Sequence, residues 1–275
     1  MKDDFKNIVS TDWLEQHLEA PDIRIIDSSW YFPQEKRNAE QEFLECHIPG
    51  ASFFDIDKIK DNGIDLPHML PPSEMFIYTV RKLGIGDGHK VVIYDGLGMR
   101  SAARLWWMFK VFGYSDVVVL DGGFPKWVKE NRSTTAEITE KEIRHLTIYE
   151  DKSIVADRDD VLRATKLNHC SIIDARSEGR FMGTAPEPRS GLRSGSIENS
   201  INVPYETLLN EDFTFKSKRE IIDIFSNKGL VFNNYIITTC GSGVTAAVLY
   251  LALDEIGCSK ISLYDGSWAE WGKID

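Results

Sequence analysis

The sequence is poor in positive charge and contains no long apolar run. Its 32 lysine and arginine residues are outnumbered by 43 aspartate and glutamate residues, so the net charge at pH 7 is −11. A protein that binds nucleic acid needs a basic face to neutralise phosphates, and this composition argues against one. No apolar run reaches the length of a transmembrane helix. We therefore expect no nucleic acid and no membrane among the partners.

Cysteine is also scarce, and its spacing argues against a metal site. The four cysteines are Cys46, Cys170, Cys240 and Cys258, and no two of them are close enough for a paired zinc-ligand motif. The first residues lack the apolar core of a signal peptide, although a presequence that has been removed leaves no trace. These features predict a reducing compartment and a cytoplasmic location.

One loop combines a cysteine with two glycines between a predicted strand and a predicted helix. Tyr235–Thr239 is rich in β-branched residues and predicts a buried strand, and residues 246–253 are typical of a helix. Ligands bind at this carboxyl edge in open α/β sheets. Loop amides and the helix dipole favour an anion there, and so favour the nucleophilic thiolate. The loop residues are Cys240, Gly241, Ser242, Gly243, Val244 and Thr245.

Two other interpretations of this cysteine compete with a nucleophilic role. Most free cysteines are buried and act as small hydrophobic residues, but the glycine-rich setting of Cys240 favours chemistry. A cysteine phosphatase would use a similar loop with an arginine six positions after the cysteine to clamp phosphate. Position 246 is alanine, so the sequence favours sulfur transfer over phosphate chemistry.

A long internal repeat divides the chain into two similar parts. The segment Ile25–Asp27 matches Ile172–Asp174, and Val91–Tyr94 matches Tyr235–Thr239, each in the same order along the chain. The repeat predicts an α/β fold of two domains, each a small, mainly parallel sheet with helices on both faces. We predict a first domain at residues 1–135, a polar linker at 136–151 and a second domain at 152–275.

The loop from Cys240 to Thr245 resembles the active-site loop of the rhodanese superfamily, and of 3-mercaptopyruvate sulfurtransferases in particular. The repeat resembles the tandem rhodanese architecture, so the resemblance covers essentially the whole chain. In this family the second domain is catalytic and the first is a degenerate copy. Asp95 stands in the first repeat where Cys240 stands in the second, and an aspartate cannot carry a sulfane sulfur. We expect Asp95 to have a structural or interface role.

The resemblance implies an enzyme that moves sulfur through a persulfide on Cys240. The donor is 3-mercaptopyruvate, pyruvate leaves, and cyanide, a thiol or a thioredoxin-like protein accepts the sulfur. No metal or organic cofactor is implied. Thiosulfate is the alternative donor, although thiosulfate-using relatives place basic residues after the cysteine and here Gly241 and Ser242 are neutral. A non-catalytic tandem module that binds a partner protein is the alternative from another class.

Two arginines occupy the positions that the resemblance assigns to the substrate carboxylate. They are Arg180 and Arg189, in a loop that follows the predicted strand at Ile172–Asp174 and so lies on the same sheet edge as the cysteine. Guanidinium groups suit a carboxylate because they donate two parallel hydrogen bonds. The alternative is that these arginines pair with Glu178 or Glu187. Arg176 is expected to brace the fold rather than to bind substrate.

The first domain is expected to contribute a histidine and an aspartate to the catalytic site. By resemblance, Asp57 orients His68, and His68 reaches Ser242 across the cleft between the domains. Asp55 is an alternative to Asp57 in this role. Such an acid–histidine–serine array suits the reaction, because loss of sulfur leaves a pyruvate enolate that needs a proton. His47 is interpreted as a structural residue of a turn.

Overall fold

The computed structural model describes residues 5–274 and contains two five-stranded sheets in which every neighbouring pair of strands is parallel. The first sheet has the order β1-β5-β4-β2-β3 and the second has the equivalent order β6-β10-β9-β7-β8. The first five strands are β1 (Ile8–Val9), β2 (Ile23–Asp27), β3 (Ser52–Phe53), β4 (Lys90–Tyr94) and β5 (Val117–Leu120). The second five are β6 (Val155–Ala156), β7 (Cys170–Asp174), β8 (Ser200–Asn202), β9 (Tyr235–Thr239) and β10 (Ile261–Tyr264).

Within residues 5–274, ten α-helices connect and cover these strands. Those of the first half are α1 (Thr11–Gln16), α2 (Ala39–Glu45), α3 (Ser73–Lys82), α4 (Ala102–Val111) and α5 (Gly123–Lys129). Those of the second half are α6 (Arg158–Ala164), α7 (Glu178–Phe181), α8 (Lys218–Asn227), α9 (Ala246–Glu255) and α10 (Ser267–Trp271). Single 3₁₀ turns occur at Pro33–Glu35, Lys152–Ile154 and Tyr205–Leu208. The predicted α/β fold class is confirmed.

Helices cover both faces of each sheet, as the apolar strands require. Along β4, Val91 and Ile93 pack into one hydrophobic cluster with α3 and α4, while Val92 and Tyr94 pack into another with α1, α2 and α5. Side chains of a strand alternate between its faces, so a strand that is apolar at every position needs cover on both sides. The run KVVIY satisfies this condition at four successive buried positions.

The two halves share one continuous hydrophobic core, which is built around α4 and α9. Every residue of α4 except Lys110 is buried, and so are the first eight residues of α9. A helix that is apolar on all sides has no face for solvent and must be enclosed. The rings of Trp106 and Tyr250 meet across the boundary with centroids 6.0 Å apart. The helix that follows the cysteine loop is therefore held against the other half.

Each half also extends a segment that reaches the other half. We call these segments the first arm (residues 54–72, between β3 and α3) and the second arm (residues 203–217, between β8 and α8). In the first arm, the amide of Leu70 donates to Asp265 Oδ2 at 2.8 Å; in the second, the amide of Phe215 donates to Asp121 Oδ1 at 2.9 Å. His68 and Phe213 lie two residues before these amides and share left-handed backbone, with φ of 60° and 63°. The arms are thus related by the internal repeat, and His68 reaches the second half at the tip of the first arm.

The segment 136–151 contains no helix or strand and lies against the first half. The amide of Asp87 donates to the carbonyl of His145 at 2.9 Å, and that of Asp151 donates to the carbonyl of Val111 at 2.7 Å. Leu146 is buried in the shared core. The domain limits at 135 and 152 stay predictions. Among residues 5–274, no helix is long and apolar enough to cross a membrane.

Candidate active site

Cys240 lies directly after β9 and is only 2% exposed. Its amide donates to the hydroxyl of Ser267 at 3.3 Å, and its carbonyl accepts from the amide of Trp268 at 2.9 Å. The carbonyl of Gly241 accepts from the amide of Ala269 in the same way, also at 2.9 Å. The backbone of the cysteine loop is therefore hydrogen-bonded to the first turn of α10, the helix that follows β10.

The thiol faces a cavity of about 210 Å³ that is formed by both halves. The first half contributes Trp30, Phe32 and Arg100 to its wall. From the predicted loop and arginine pair, the cavity is lined by Cys240, Gly241, Ser242, Val244, Thr245, Arg180 and Arg189. Gly243 lies behind it with φ of +75°, and a Cβ there would lie 2.8 Å from a nitrogen of Arg104. A side chain at Gly243 is thus excluded by backbone strain and by lack of space.

His68, Ser242 and Asp57 form the hydrogen-bonded chain that the sequence predicts. His68 Nδ1 lies 3.0 Å from Ser242 Oγ, and His68 Nε2 lies 2.8 Å from Asp57 Oδ1. An ionised carboxylate only accepts hydrogen bonds, so Nε2 carries the proton and Nδ1 accepts from the serine hydroxyl. Asp55 instead accepts from the amide of Asp57 and pairs with Lys58, so the structure brings Asp57 to the histidine.

Burial and charge set the protonation states of this chain. Burial and the positive charges of Arg189 and Arg104 lower the pKa of His68, and the Asp57 carboxylate only partly opposes this shift. Desolvation alone would raise the pKa of Asp57, but the hydrogen bond and charge of His68 outweigh it and the pKa is lowered. Trp30 Nε1 also donates to Asp57 Oδ2, at 2.9 Å. Neutral histidine beside an ionised aspartate is therefore the state expected at neutral pH.

The two candidate substrate arginines differ in their partners. Arg180 Nη2 donates to Glu187 Oε2 at 2.6 Å, which is one of the pairings left open by the sequence. Arg176 contacts Glu187 at 2.8 Å and Asp174 at 2.7 Å, as expected of a residue that braces the fold. Arg189 makes no hydrogen bond or ion pair with any of residues 5–274. Burial and the charge of Arg180 lower the pKa of Arg189, although a guanidinium stays protonated at neutral pH.

Arg180 also covers the loop. A Cβ at Gly241 would lie 2.8 Å from Arg180 Nη2, so this glycine leaves space for the guanidinium directly after the cysteine. The sequence places neutral residues beside Cys240, but the fold brings a cation over them from the short helix α7. No cluster of three or more histidine, cysteine, aspartate or glutamate side chains that could hold a metal occurs among residues 5–274.

The first half carries the same loop with a carboxylate in the position of the cysteine. Asp95 Oδ2 accepts from the amides of Ser101 and Ala102 at 2.7 and 2.8 Å, and its Oδ1 accepts from Leu97 at 2.8 Å. Gly98 has φ of +100°, which matches the left-handed Gly243 of the second loop. The amides of the first loop thus bind the anion of their own aspartate, and this contact gives Asp95 the structural role expected from the sequence.

Sequence reasoning missed two residues that surround the site, Arg104 and Trp30, and named Glu187 only as a possible partner of the arginines. Arg104, Trp30 and Glu187 contact the candidate catalytic or binding residues, yet each stands in a sequence context that is common in ordinary helices and loops. His47 is buried, with Nδ1 2.6 Å from the carbonyl of Phe43, which agrees with its structural interpretation. The repeat is the one signal that could have singled out Arg104, since the matching position of the second half is Leu249.

Both halves of the chain match the rhodanese-like domain family, over residues 10–130 and 157–274. The chain therefore belongs to the rhodanese-like family and contains its domain twice, which confirms the predicted family.

Individual relatives are similar over nearly the whole chain. The 3-mercaptopyruvate sulfurtransferase of Escherichia coli (strain K12) is 41% identical over 268 residues, which cover 96% of this chain and 94% of the relative. The thiosulfate sulfurtransferase of Rattus norvegicus is 40% identical over 274 residues, which cover 97% and 92%. The crystal structure of SseA from Escherichia coli, described as a 3-mercaptopyruvate sulfotransferase with the rhodanese fold, aligns with a TM-score of 0.87 at 39% identity. That alignment covers 95% of this chain and 98% of SseA.

The contacts of Asp95 predict an effect on stability that is separate from catalysis. Asp95→Ala would leave three loop amides without their acceptor, so we expect the free energy of unfolding to fall by at least about 2 kcal/mol. Urea unfolding followed by tryptophan fluorescence measures this change. Asp116→Ala removes an exposed partner of Lys90 and is the matched control, with an expected loss below about 1 kcal/mol. Equal losses in the two variants would show that Asp95 does not hold its loop.

Proposed function

We propose that this protein is a 3-mercaptopyruvate sulfurtransferase with Cys240 as its nucleophile. The observation that carries the proposal is the shared cavity, where the cysteine, the unpaired Arg189 and the serine of the His68–Ser242 chain meet. The named relatives support the same reaction class. Arg189 and Arg180 hold the donor carboxylate, and Gly241, Ser242, Val244 and Thr245 of the cysteine loop surround the transferred sulfur.

In the first half-reaction, the Cys240 thiolate attacks the sulfur of the donor. A sulfur–sulfur bond forms, the carbon–sulfur bond of mercaptopyruvate breaks, and its electron pair passes to carbon 3 to give the pyruvate enolate. Neutral His68 takes the thiol proton of the donor through the Ser242 hydroxyl and returns it to carbon 3 by the same route. The hydroxyl also stabilises the enolate oxygen in its charged form. Pyruvate leaves, and Cys240 retains the sulfur.

The first-half loop supports the stabilisation of an anionic persulfide on Cys240. A carboxylate oxygen of aspartate is two bonds from Cβ, as is the outer sulfur of a cysteine persulfide. The amides of Leu97 and Ser101 donate hydrogen bonds to these carboxylate oxygens of Asp95. The same backbone positions in the second loop belong to Ser242 and Ala246. Their amides are therefore the proposed donors to the outer sulfur, which an acceptor then removes.

Thiosulfate is the second candidate donor, favoured by the rat relative of that name and by the guanidinium over Gly241. A small thiol, cyanide or a thioredoxin-like protein is the proposed acceptor. The cytoplasmic location also stays a proposal, supported by the sequence features alone.

The identity of the nucleophile is tested by cysteine replacement. Cys240→Ser should abolish pyruvate release from mercaptopyruvate, because the loop thiol is the atom that accepts sulfur. The matched variants Cys46→Ser, Cys170→Ser and Cys258→Ser should keep most of the activity, since these thiols lie outside the cavity. Intact mass spectrometry of the donor-treated wild type should show one added sulfur on the peptide that contains Cys240. A Cys240→Ser protein that still releases pyruvate would overturn the mechanism.

The unpaired cation predicts which arginine matters most for donor binding. Arg189→Met should raise KM for mercaptopyruvate by about 10- to 150-fold, the equivalent of about 1.5–3 kcal/mol for a charge-assisted hydrogen bond. Arg180→Met should raise it less, because Arg180 is already paired with Glu187. The control is Arg193→Met, an exposed arginine outside this cavity, which should leave KM unchanged. Steady-state kinetics at saturating acceptor measure these values. Equal KM for Arg189→Met and wild type would exclude Arg189 as the carboxylate ligand.

The lowered pKa of His68 predicts the pH dependence of the first half-reaction. Protonation of Nδ1 removes the acceptor for the Ser242 hydroxyl, so the rate should fall as the pH drops through that pKa. Because the pKa lies below its ordinary value of about 6.5, the rate should be level above pH 6.5 and fall only below it. Single-turnover pyruvate release measures the profile from about pH 4.5 to about pH 8.5, two units to either side of 6.5. His68→Gln is the control, and its rate should not show this fall at low pH. If the rate of His68→Gln still falls below about pH 6.5, another group is responsible for the fall.

A further inference from the structure

We propose that Arg104 is a positioning residue for the catalytic site, which it reaches from the first half without contacting the donor. This inference rests on the proposed function, because it assigns to Arg104 the task of holding His68 against Ser242. Arg104 lies on α4, is fully buried, and extends into the boundary between the two halves.

One guanidinium binds groups on both sides of the site. Arg104 Nη2 donates to the carbonyl of His68 at 2.5 Å and to Asp265 Oδ1 at 2.6 Å. Its Nη1 lies 3.4 Å from the carbonyl of Gly243, the residue after Ser242. The other carboxylate oxygen of Asp265 accepts from the amide of Leu70 in the same arm. The backbones of the histidine and of the serine loop are thus tied to one rigid, planar group.

The backbone of His68 has a strained conformation that this contact stabilises. His68 adopts φ of +60°, a conformation that costs free energy in a residue with a side chain and persists only when its surroundings impose it. The arginine binds the carbonyl of that strained residue. A shift of this carbonyl would move the imidazole away from Ser242, and small displacements of a catalytic group are costly to rate.

The internal repeat shows that an arm does not need an arginine merely to pack. Arg104 lies nine residues after Asp95, and nine residues after Cys240 the second half has Leu249. The second arm, with Phe213 at its tip, still reaches Asp121 and has the same left-handed backbone. The arginine is present on the side where the arm carries the histidine. Packing of an arm therefore does not by itself require this arginine, and we attribute its presence to the position of His68.

The test separates the two half-reactions in the double variant Arg104→Leu/Asp265→Asn. Replacing both partners avoids leaving an unpaired buried charge, which would itself destabilise the fold. Pyruvate release in a single turnover without acceptor should slow by about tenfold or more, because the proton path through His68 is misaligned. Discharge of preformed persulfide by cyanide needs no proton from His68 and should change less than about threefold.

Asp121→Asn is the matched control, since it alters the equivalent contact of the arm that carries no histidine. It should leave both half-reactions within about twofold of wild type. If the double variant does not fold, Arg104→Lys is tested instead. It keeps the positive charge beside Asp265 but loses the planar set of donors, so pyruvate release should again slow more than persulfide discharge. Equal slowing of both half-reactions, or an unchanged first one, would overturn the positioning role. A wild type that releases no pyruvate and gains no sulfur would instead overturn the proposed function.

Discussion

The packing of α4 against α9 is the constraint on which the candidate site depends. Both helices are buried almost all round, so neither half can cover its own helix without the other. This shared core fixes the arm that carries His68 over the loop that carries Cys240. A hydrogen bond of 3.0 Å between residues 174 positions apart, His68 and Ser242, is a consequence of that packing.

The two loops of the repeat show how one backbone serves two purposes. In both, a left-handed glycine turns the chain three positions after the residue that follows a central strand. In the first half that residue is Asp95, whose carboxylate fills the loop permanently and contributes to stability. In the second half it is Cys240, whose thiol opens into a cavity. The first half keeps the architecture and contributes His68, Asp57 and Trp30 to the site of the other.

The sequence predicts the parts of this structure that follow from local pattern or from resemblance. The strands, the repeat and the Cys240 loop have clear periodicity and glycine placement, and the His68–Asp57 pair followed from family resemblance. The pairing of Arg180 with Glu187 stayed open because both side chains are long and Glu187 lies in an irregular loop whose path the sequence does not determine. Arg104 could not be found in this way, since an arginine in a helix is usually exposed and only the tertiary fold buries it.

The ion pairs of the cavity favour a donor with a single negative charge. Arg100 is paired with Glu35, and the charges of Arg176 and Arg180 are balanced by the carboxylates of Asp174 and Glu187. Of the arginines that line this cavity, Arg189 alone lacks an ion pair with any of residues 5–274. The one carboxylate of mercaptopyruvate therefore meets one guanidinium that has no carboxylate partner. The dianion thiosulfate would bury a second charge without a partner, which is costly away from water. Arg180, which lies over Gly241, is balanced by Glu187 and so adds no further unpaired charge to the cavity.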